Sequence, residues 1–390
     1  MKIVDVSAFY SPYGGGVRTY VERKFAHAAL AGHEMIVVVP GPRDDESAMP
    51  GGGRLVSIAS PKLIFDGRYR YFRSAGPIHA LLDAEQPDIV EASSPWRTAN
   101  IVAQWQGDAR KALIMHADPM STYAYRWFGQ FAERDTIDRR FAPYWNHLRR
   151  AARAFDTIIC ANPSLSERMR AAGLQRVETL ALGIEADTFS PALRTPDLRA
   201  QLLAKCQLPE HACLLLGVGR LSGEKRWPMV VEAVTRAAAR HPVGLVLIGA
   251  GRDRGNILRA IGGNPHIKLI EGISDRSLLA RIMASADGLV HGCESETFGL
   301  VVAEAAAAGL PLILPDQGGA TGLAAPDRSL VYQSGNGAAL AEAIIAFLRR
   351  DRQEMRAAAV RHSPRIASIG DHFDQLFNSY AQLSGQRMVA

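Results

Sequence analysis

The chain has 390 residues, 47% of them apolar, with 45 Lys and Arg against 39 Asp and Glu and a formal net charge of +6. That length supplies two ordinary domains with full cores, and no apolar run reaches the roughly 18 residues a membrane-spanning helix needs. The charge, without a recognition helix, zinc-finger spacing or basic tail, points away from nucleic acid as a partner.

The opening Met-Lys-Ile-Val-Asp-Val reads as a strand rather than a secretory signal, which predicts a cytoplasmic protein. Short runs rich in Val and Ile then alternate with helical stretches. In the first half they are Lys2–Ala8, Met35–Val39, Asp88–Ala92, Ala112–Met115, Thr157–Cys160 and Val177–Leu180. After a break the rhythm resumes at Leu214–Val218, Val243–Ile248, Ile267–Ile270, Gly288–Val290, Leu312–Leu314 and Leu330–Tyr332. Runs apolar on both faces and spaced for crossover helices predict an α/β protein of two parallel-sheet, Rossmann-like domains. The turn-rich segment Ala181–Pro191 marks the boundary. The expected division is 1–183, 191–365 and a terminal segment 366–390, whose Phe373, Leu376, Phe377 and Tyr380 lie at helical spacing and pack back on the first domain.

In open parallel sheets, ligands bind beyond the carboxyl ends of the strands, so the residues after each apolar run carry the functional reading. After the first strand, Gly14-Gly15-Gly16 removes side chains ahead of a helix start, where backbone amides can approach a ligand; a plain flexible turn is the alternative. His116 opens His-Ala-Asp-Pro at another strand terminus, with Asp118 a weaker candidate; an imidazole there can bond a sugar hydroxyl or be merely structural. Lys62–Arg73 interleaves cations with aromatics, and Arg139, Arg140, Arg149, Arg150 and Arg153 form a second basic group. Either can meet an acceptor or a lipid surface, or simply snorkel from a half-buried element.

The second half is more specific. Arg220 and Lys225 flank a helix start marked by Pro228, where two fixed cations can neutralise a diphosphate. Glu296-Thr-Phe-Gly-Leu-Val-Val-Ala-Glu304 then runs into Ala-Ala-Ala-Ala-Gly-Leu-Pro, which predicts a helix beginning just after Glu296 and stopped by Gly309 and Pro311. The amides of Gly299 and Leu300 fall among the open donors of that start, a place that attracts phosphate. Glu296 and Glu304, on either side, can accept hydrogen bonds from hydroxyls, so a ligand with a diphosphate between two polyol rings uses every element. A nucleotide-sugar has that layout. No D-x-D occurs, so protein cations are expected to serve in place of a metal, and no cofactor is expected. The cysteines Cys160, Cys206, Cys213 and Cys293 are scattered without C-x-x-C or a paired Cys/His spacing, which argues against structural zinc and fits a reducing compartment.

With these residues the chain resembles, nearly end to end, the retaining glycosyltransferases of family 4, the group 1 glycosyltransferases with the GT-B fold of two Rossmann-like domains facing a cleft. Glu296 and Glu304 match that family's E-x7-E motif. The resemblance implies that Glu296, Phe298 and the Gly299 and Leu300 amides hold donor sugar and phosphate, that Glu304 binds the ribose, and that Arg220 and Lys225 are the diphosphate pair. It further implies that Gly15 and Gly16 belong to the glycine loop beside the diphosphate, that His116 stands near the donor sugar, and that Gly272 and Ile273 contact the base. Three departures stand out. Gly318-Gly319-Ala-Thr-Gly322 lacks the acid of the family's G-G-x-x-E, Ala250 replaces an acidic residue between Gly249 and Gly251, and no tryptophan opens the terminal helix.

The expected activity is transfer of a hexosyl group from a UDP- or GDP-sugar, with retention and without metal, to a glycan, lipid-linked or envelope-precursor acceptor. The basic-aromatic segments of the first domain would meet the inner face of the cytoplasmic membrane. Two rivals share the fold: a sugar-nucleotide epimerase, which would alter donor in isolation, and a non-catalytic nucleotide-sugar binding protein, which would bind donor without turnover.

Overall fold

The computed structural model describes residues 1–8, 10, 16–63, 66–116, 120, 124, 133–185, 188–296 and 298–385. It divides into two compact units. One comprises Met1–Asp118, Phe128–Ala181 and Ile369–Ala390, the other Pro119–Trp127 and Leu182–Ser368.

The first unit is built on strands β1 (Lys2–Val6), β2 (Glu34–Gly41), β3 (Asp45–Ala48), β4 (Arg54–Ala59), β7 (Ile89–Ala92), β8 (Arg110–Met115), β9 (Thr157–Cys160) and β10 (Val177–Thr179). They lie in the order β10-β9-β8-β7-β1-β2-β4-β3. Every neighbouring pair is parallel except β3 with β4. The intervening β5 (Lys62–Leu63) and β6 (Asp66–Arg70), both within the basic-aromatic stretch, form a separate antiparallel ribbon. Its helices are α1 (Gly16–Leu30), α2 (Gly76–Glu85), α3 (Arg97–Gln104), α4 (Arg134–Arg140), α5 (Ala142–Ala152) and α6 (Pro163–Ala171).

The second unit carries β11 (Cys213–Val218), β12 (Val243–Ile248), β13 (Ile267–Ile270), β14 (Gly288–Val290), β15 (Leu312–Pro315) and β16 (Ser329–Tyr332) in the order β13-β12-β11-β14-β15-β16, all parallel. Its helices are α7 (Pro196–Lys205), α8 (Trp227–Ala238), α9 (Arg254–Ile261), α10 (Arg276–Ser285), α11 (Leu300–Ala307), α12 (Gly337–Arg349) and α13 (Arg352–His362). The last helix, α14 (Ile369–Ser384), belongs to the first unit and buries Phe373, Leu376, Phe377 and Tyr380 there.

The continuous apolar strands follow from this layering. All six residues of β11 and of β12 are buried, because helices cover both faces of the sheet. Among the parallel strands of each sheet the order reverses once, at β1/β7 in the first unit and β11/β14 in the second. Connections leave two adjacent strands in opposite directions at such a reversal, and their C-terminal loops open a crevice. The loops after β11 and β14 hold Arg220, Lys225, Glu296 and Gly299.

The first unit has charge at the centre of its sheet. Asp5 of β1 and Glu91 of β7 are Cα partners in the register, and Lys24 of α1 reaches both: it hydrogen-bonds Glu91 and lies 3.5 Å from Asp5. All three side chains are fully buried. Burial pushes the Glu91 carboxyl up to about 7, with Lys24 pulling it down and Asp5 adding to the rise.

Candidate active site

The loop after β11 turns through Ser222 and a short 3-10 turn, Gly223–Lys225, before Arg226 enters α8 from the left-handed region (φ 50°). Pro228 sits in the first turn of that helix, where its missing amide hydrogen costs nothing. Trp227, 1% exposed, anchors the turn by donating its indole N–H to the Arg220 carbonyl at 2.9 Å. Arg220 itself is two-thirds exposed, with its guanidinium 3.1 Å from Glu224. Lys225 points inward. Its side chain is 13% exposed and its ammonium hydrogen-bonds the carboxylate of Glu296. Burial draws the Lys225 pKa below its usual value, and the Arg220 charge adds to that effect.

The loop after β14 is pinned at several points. Arg226 grips Glu294 in a fork, Nε to Oε1 at 3.0 Å and to Oε2 at 2.9 Å. The Gly319 amide donates to the Glu296 carbonyl at 2.7 Å. Gly318 (φ +92°) approaches so closely that a Cβ there would lie 2.5 Å from the Glu294 carbonyl oxygen, so the Gly318-Gly319 pair packs against the acidic loop. Gly322, standing where the G-G-x-x-E acid would be, faces open space.

Helix α11 begins at Leu300, four residues beyond Glu296 rather than just after it. Gly299 takes a left-handed conformation (φ 80°) and serves as the cap, so the chain stays non-helical until that residue. The amides of Gly299 and Leu300 have no acceptor among the described residues. Phe298 packs half-buried against the core of the unit. Gly309 (φ 69°) ends the run as expected. Glu304 is 6% exposed, and Arg276, the first residue of α10, holds it at 2.6 Å. Burial raises the Glu304 pKa while Arg276 opposes the rise. Gly272 and Ile273 follow β13, exposed and half-exposed, with Gly272 beside Ala250.

Thus the second unit brings Lys225 and Glu296 into contact and sets Gly299 and Leu300 on the same loop, with Glu304 a turn up α11. Arg276, Arg226 and Glu294 were not singled out from the sequence. Their partners lie 28 and 68 residues away along the chain, a separation that no local pattern reports. His291 was also missed. It is 1% exposed at the end of β14, 3.6 Å from Glu296, and burial keeps its pKa well below the usual value, with Lys225 contributing.

His116 belongs to the first unit, one residue past β8. Its ring meets Tyr20 edge-on at a centroid distance of 4.9 Å, and Tyr20 shares a 3.1 Å hydrogen bond with Nε2 of His372, whose Nδ1 lies 3.2 Å from the Ala181 carbonyl. Burial lowers the His116 pKa to about 4, against the pull of Asp5 and with Lys24 assisting. A neutral imidazole results at pH 7. Gly16 opens α1, while Gly15 and Asp118 lie outside the described residues. The Arg139 and Arg140 side chains on α4 are exposed, and Asn146, Arg149, Arg150 and Arg153 line a shallow basic hollow of about 380 Å³ along α5. Among the described residues no helix is long and apolar enough to cross a membrane.

Two family models match the chain, one described as glycosyl transferases group 1 over residues 199–363, the other as glycosyltransferase family 4 over residues 14–188. A GDP-mannose-dependent alpha-(1-6)-phosphatidylinositol dimannoside mannosyltransferase of Mycobacterium tuberculosis (strain ATCC 25177 / H37Ra) is 28% identical over 364 residues, covering 93% of this chain and 92% of the relative. A GDP-mannose-dependent alpha-mannosyltransferase of Mycobacterium tuberculosis (strain CDC 1551 / Oshkosh) is 28% identical over 398 residues, covering 99% and 98%. Among solved structures, a sucrose-phosphate synthase from Thermosynechococcus elongatus superposes with a TM-score of 0.78 at 19% identity, covering 98% of this chain and 99% of that one. Anabaena HepE in complex with UDP gives a TM-score of 0.74 at 14% identity, covering 98% and 100%. At such identities these two likenesses speak for the fold.

Proposed function

Because the chain belongs to the group 1 glycosyltransferases of family 4, we propose that it moves a mannosyl group from GDP-mannose to a hydroxyl of a glycolipid acceptor, with retention at the anomeric carbon and without a metal ion. The observation that carries this reading is the contact of Lys225 with Glu296 at the β11/β14 reversal, beside the open amides of Gly299 and Leu300. In this reading the diphosphate lies against the start of α11 and draws the Lys225 ammonium to itself, freeing Glu296 for sugar hydroxyls, with Phe298 beside it. Glu304 accepts from the ribose, and Gly272 and Ile273 line the base.

Chemically, the acceptor oxygen forms a bond to the anomeric carbon as the carbon–oxygen bond to the diphosphate breaks. The bonding pair leaves with the phosphate oxygen, and that oxygen takes the acceptor proton on the same face. Negative charge therefore grows on the diphosphate, where Lys225, Arg220 and two amide donors stabilise it more in the transition state than in the bound donor. No enzymic nucleophile and no divalent cation is required, and no other cofactor enters.

The choice of GDP-mannose rests on the relatives named for that donor, and the glycolipid acceptor on the phosphatidylinositol dimannoside enzyme among them. The basic hollow along α5 suits an anionic lipid surface, which would place the enzyme peripherally on the cytoplasmic face of the membrane. Calorimetry with GDP-, UDP- and ADP-hexoses, followed by transfer of labelled sugar to a lipid extract in EDTA, tests the proposal. GDP-mannose is expected to bind most tightly, with an α-linked product. Binding with no transfer to any acceptor would favour a non-catalytic binding protein, and donor altered in isolation would favour an epimerase.

A further inference from the structure

His291 is buried, and neither of its ring nitrogens has a hydrogen-bond partner among the described residues. Its backbone is held on both sides, the amide donating to the Ile313 carbonyl and the carbonyl accepting from the Tyr332 hydroxyl at 2.8 Å, so the residue is fixed at the end of β14. An unpaired buried imidazole costs about 1–3 kcal/mol and calls for an explanation. Facing it are the Cys293 sulfur, 2% exposed, and the Glu296 carboxylate. One ligand atom from each of the three residues lies within 4.8 Å of the other two.

One nitrogen, one sulfur and one oxygen donor gathered on a six-residue loop is a zinc-type ligand set that leaves a fourth position open. The loop is rigid enough to present them. Arg226 holds Glu294, the Gly319 amide holds the Glu296 carbonyl, and a Cβ on Gly292 would meet the Lys225 carbonyl at 2.5 Å, so the loop lies flat against the β11 turn. A cation already visits this place, since the Lys225 ammonium binds the same Glu296 carboxylate from its flexible stem.

We propose that His291, Cys293 and Glu296 form an inhibitory site for a thiophilic divalent cation such as Zn2+ or Cd2+. The ion bonds the imidazole nitrogen, the sulfur and a carboxylate oxygen. The thiol proton leaves to solvent and the Lys225 ammonium is displaced from Glu296. With Glu296 occupied and Lys225 moved, the donor site is closed. That last consequence rests on the donor reading above, whereas the binding of the ion does not.

The test uses the full-length protein. Titration with Cd2+ is expected to give a thiolate-to-metal charge-transfer band saturating at one ion per chain. Cys293→Ser is expected to abolish the band, and Cys206→Ser to keep it. Glu296→Gln, on the more open side of the site, is expected to weaken Cd2+ at least about tenfold, and stands in if Cys293→Ser does not fold. In transfer assays, each protein normalised to its own metal-free rate, micromolar Zn2+ is expected to inhibit the parent enzyme and spare Cys293→Ser. Zinc held by the nucleotide in solution is common to both proteins and cancels. No band in the parent protein, or a band that persists in Cys293→Ser, overturns the site. If the band behaves as expected but no nucleotide-sugar binds, the donor reading fails and the metal site stands.

Discussion

Replacing Lys225 by alanine removes the most buried cation of the β11 loop, the one in contact with Glu296. Its side chain is 13% exposed, so the ammonium acts in a partly dry setting, where two unit charges about 4 Å apart interact by about 4 kcal/mol at an effective dielectric constant near 20. The bound diphosphate already carries most of its charge, and the amides of Gly299 and Leu300 together with Arg220 remain to hold it. Only the charge added as the sugar departs depends on Lys225 in full. The expected loss is about 10²–10³-fold in kcat, or about 2.7–4 kcal/mol, with the Kd for GDP rising by no more than about tenfold. Alanine also leaves Glu296 without its counter-charge beside the diphosphate, so Glu296→Gln and the double variant complete a cycle that separates the two effects. Steady-state transfer from GDP-mannose gives kcat, and calorimetry with GDP gives Kd. An unchanged kcat, or a Kd that rises as far as kcat/KM falls, would refute the assignment of Lys225 to the leaving group.

Glu304→Ala is expected to weaken GDP about tenfold to a hundredfold by calorimetry, the value of a hydrogen bond to a charged group, with kcat nearly preserved; unaltered GDP affinity removes Glu304 from the ribose. Lys24→Met leaves Asp5 and Glu91 facing each other in a fully buried setting, and is expected to cost about 3–5 kcal/mol in urea unfolding. A cost below about 1 kcal/mol would mean the pair is not charged in the fold. Burial holds the His372 pKa at about 4, below its ordinary value. Its contribution is therefore present above pH 6.5 and lost as pH falls toward 4, which amounts to about 2 kcal/mol at pH 5. Glu91 acts in the opposite sense, its contribution being lost as pH rises through about 7, but it is common to the parent and to His372→Asn, so the difference between their stabilities isolates His372. A parent protein whose stability tracks that of His372→Asn from pH 7 to pH 5 contradicts a buried, neutral imidazole.

The central strands were legible because a strand covered on both faces must be apolar throughout, as Val243–Ile248 is. β3 was not. Its Asp-Glu-Ser-Ala is exposed at all four positions, and an edge strand of that kind is held by backbone hydrogen bonds that leave no trace in side-chain pattern. β4, mostly half-exposed, was missed for a related reason. The stop at Gly309 could be read from residue type, but the late start of α11 could not, because Gly299 was open to either helical or left-handed backbone until Ala320 and its neighbours packed against it. At the site, the sequence put Arg220, Lys225 and Glu296 after strand ends and Glu304 about a turn into the helix that follows. That Lys225 touches Glu296 depends on β11 lying beside β14, a strand order that alternating runs do not encode. The H-x-C-x2-E spacing of His291, Cys293 and Glu296 was present in the chain. It went unread because a histidine two residues from a cysteine gains meaning only once a turn folds both toward one acid.

The central claim is that the loops after β11 and β14 hold the diphosphate of a nucleotide-sugar, and a crystal structure of the protein grown with GDP-mannose tests it most directly. Phosphate oxygens are expected within hydrogen-bond distance of the Lys225 ammonium and the Gly299 and Leu300 amides, with the sugar at Glu296 and the ribose at Glu304. A nucleotide bound away from the start of α11, with Lys225 still paired to Glu296, would contradict it.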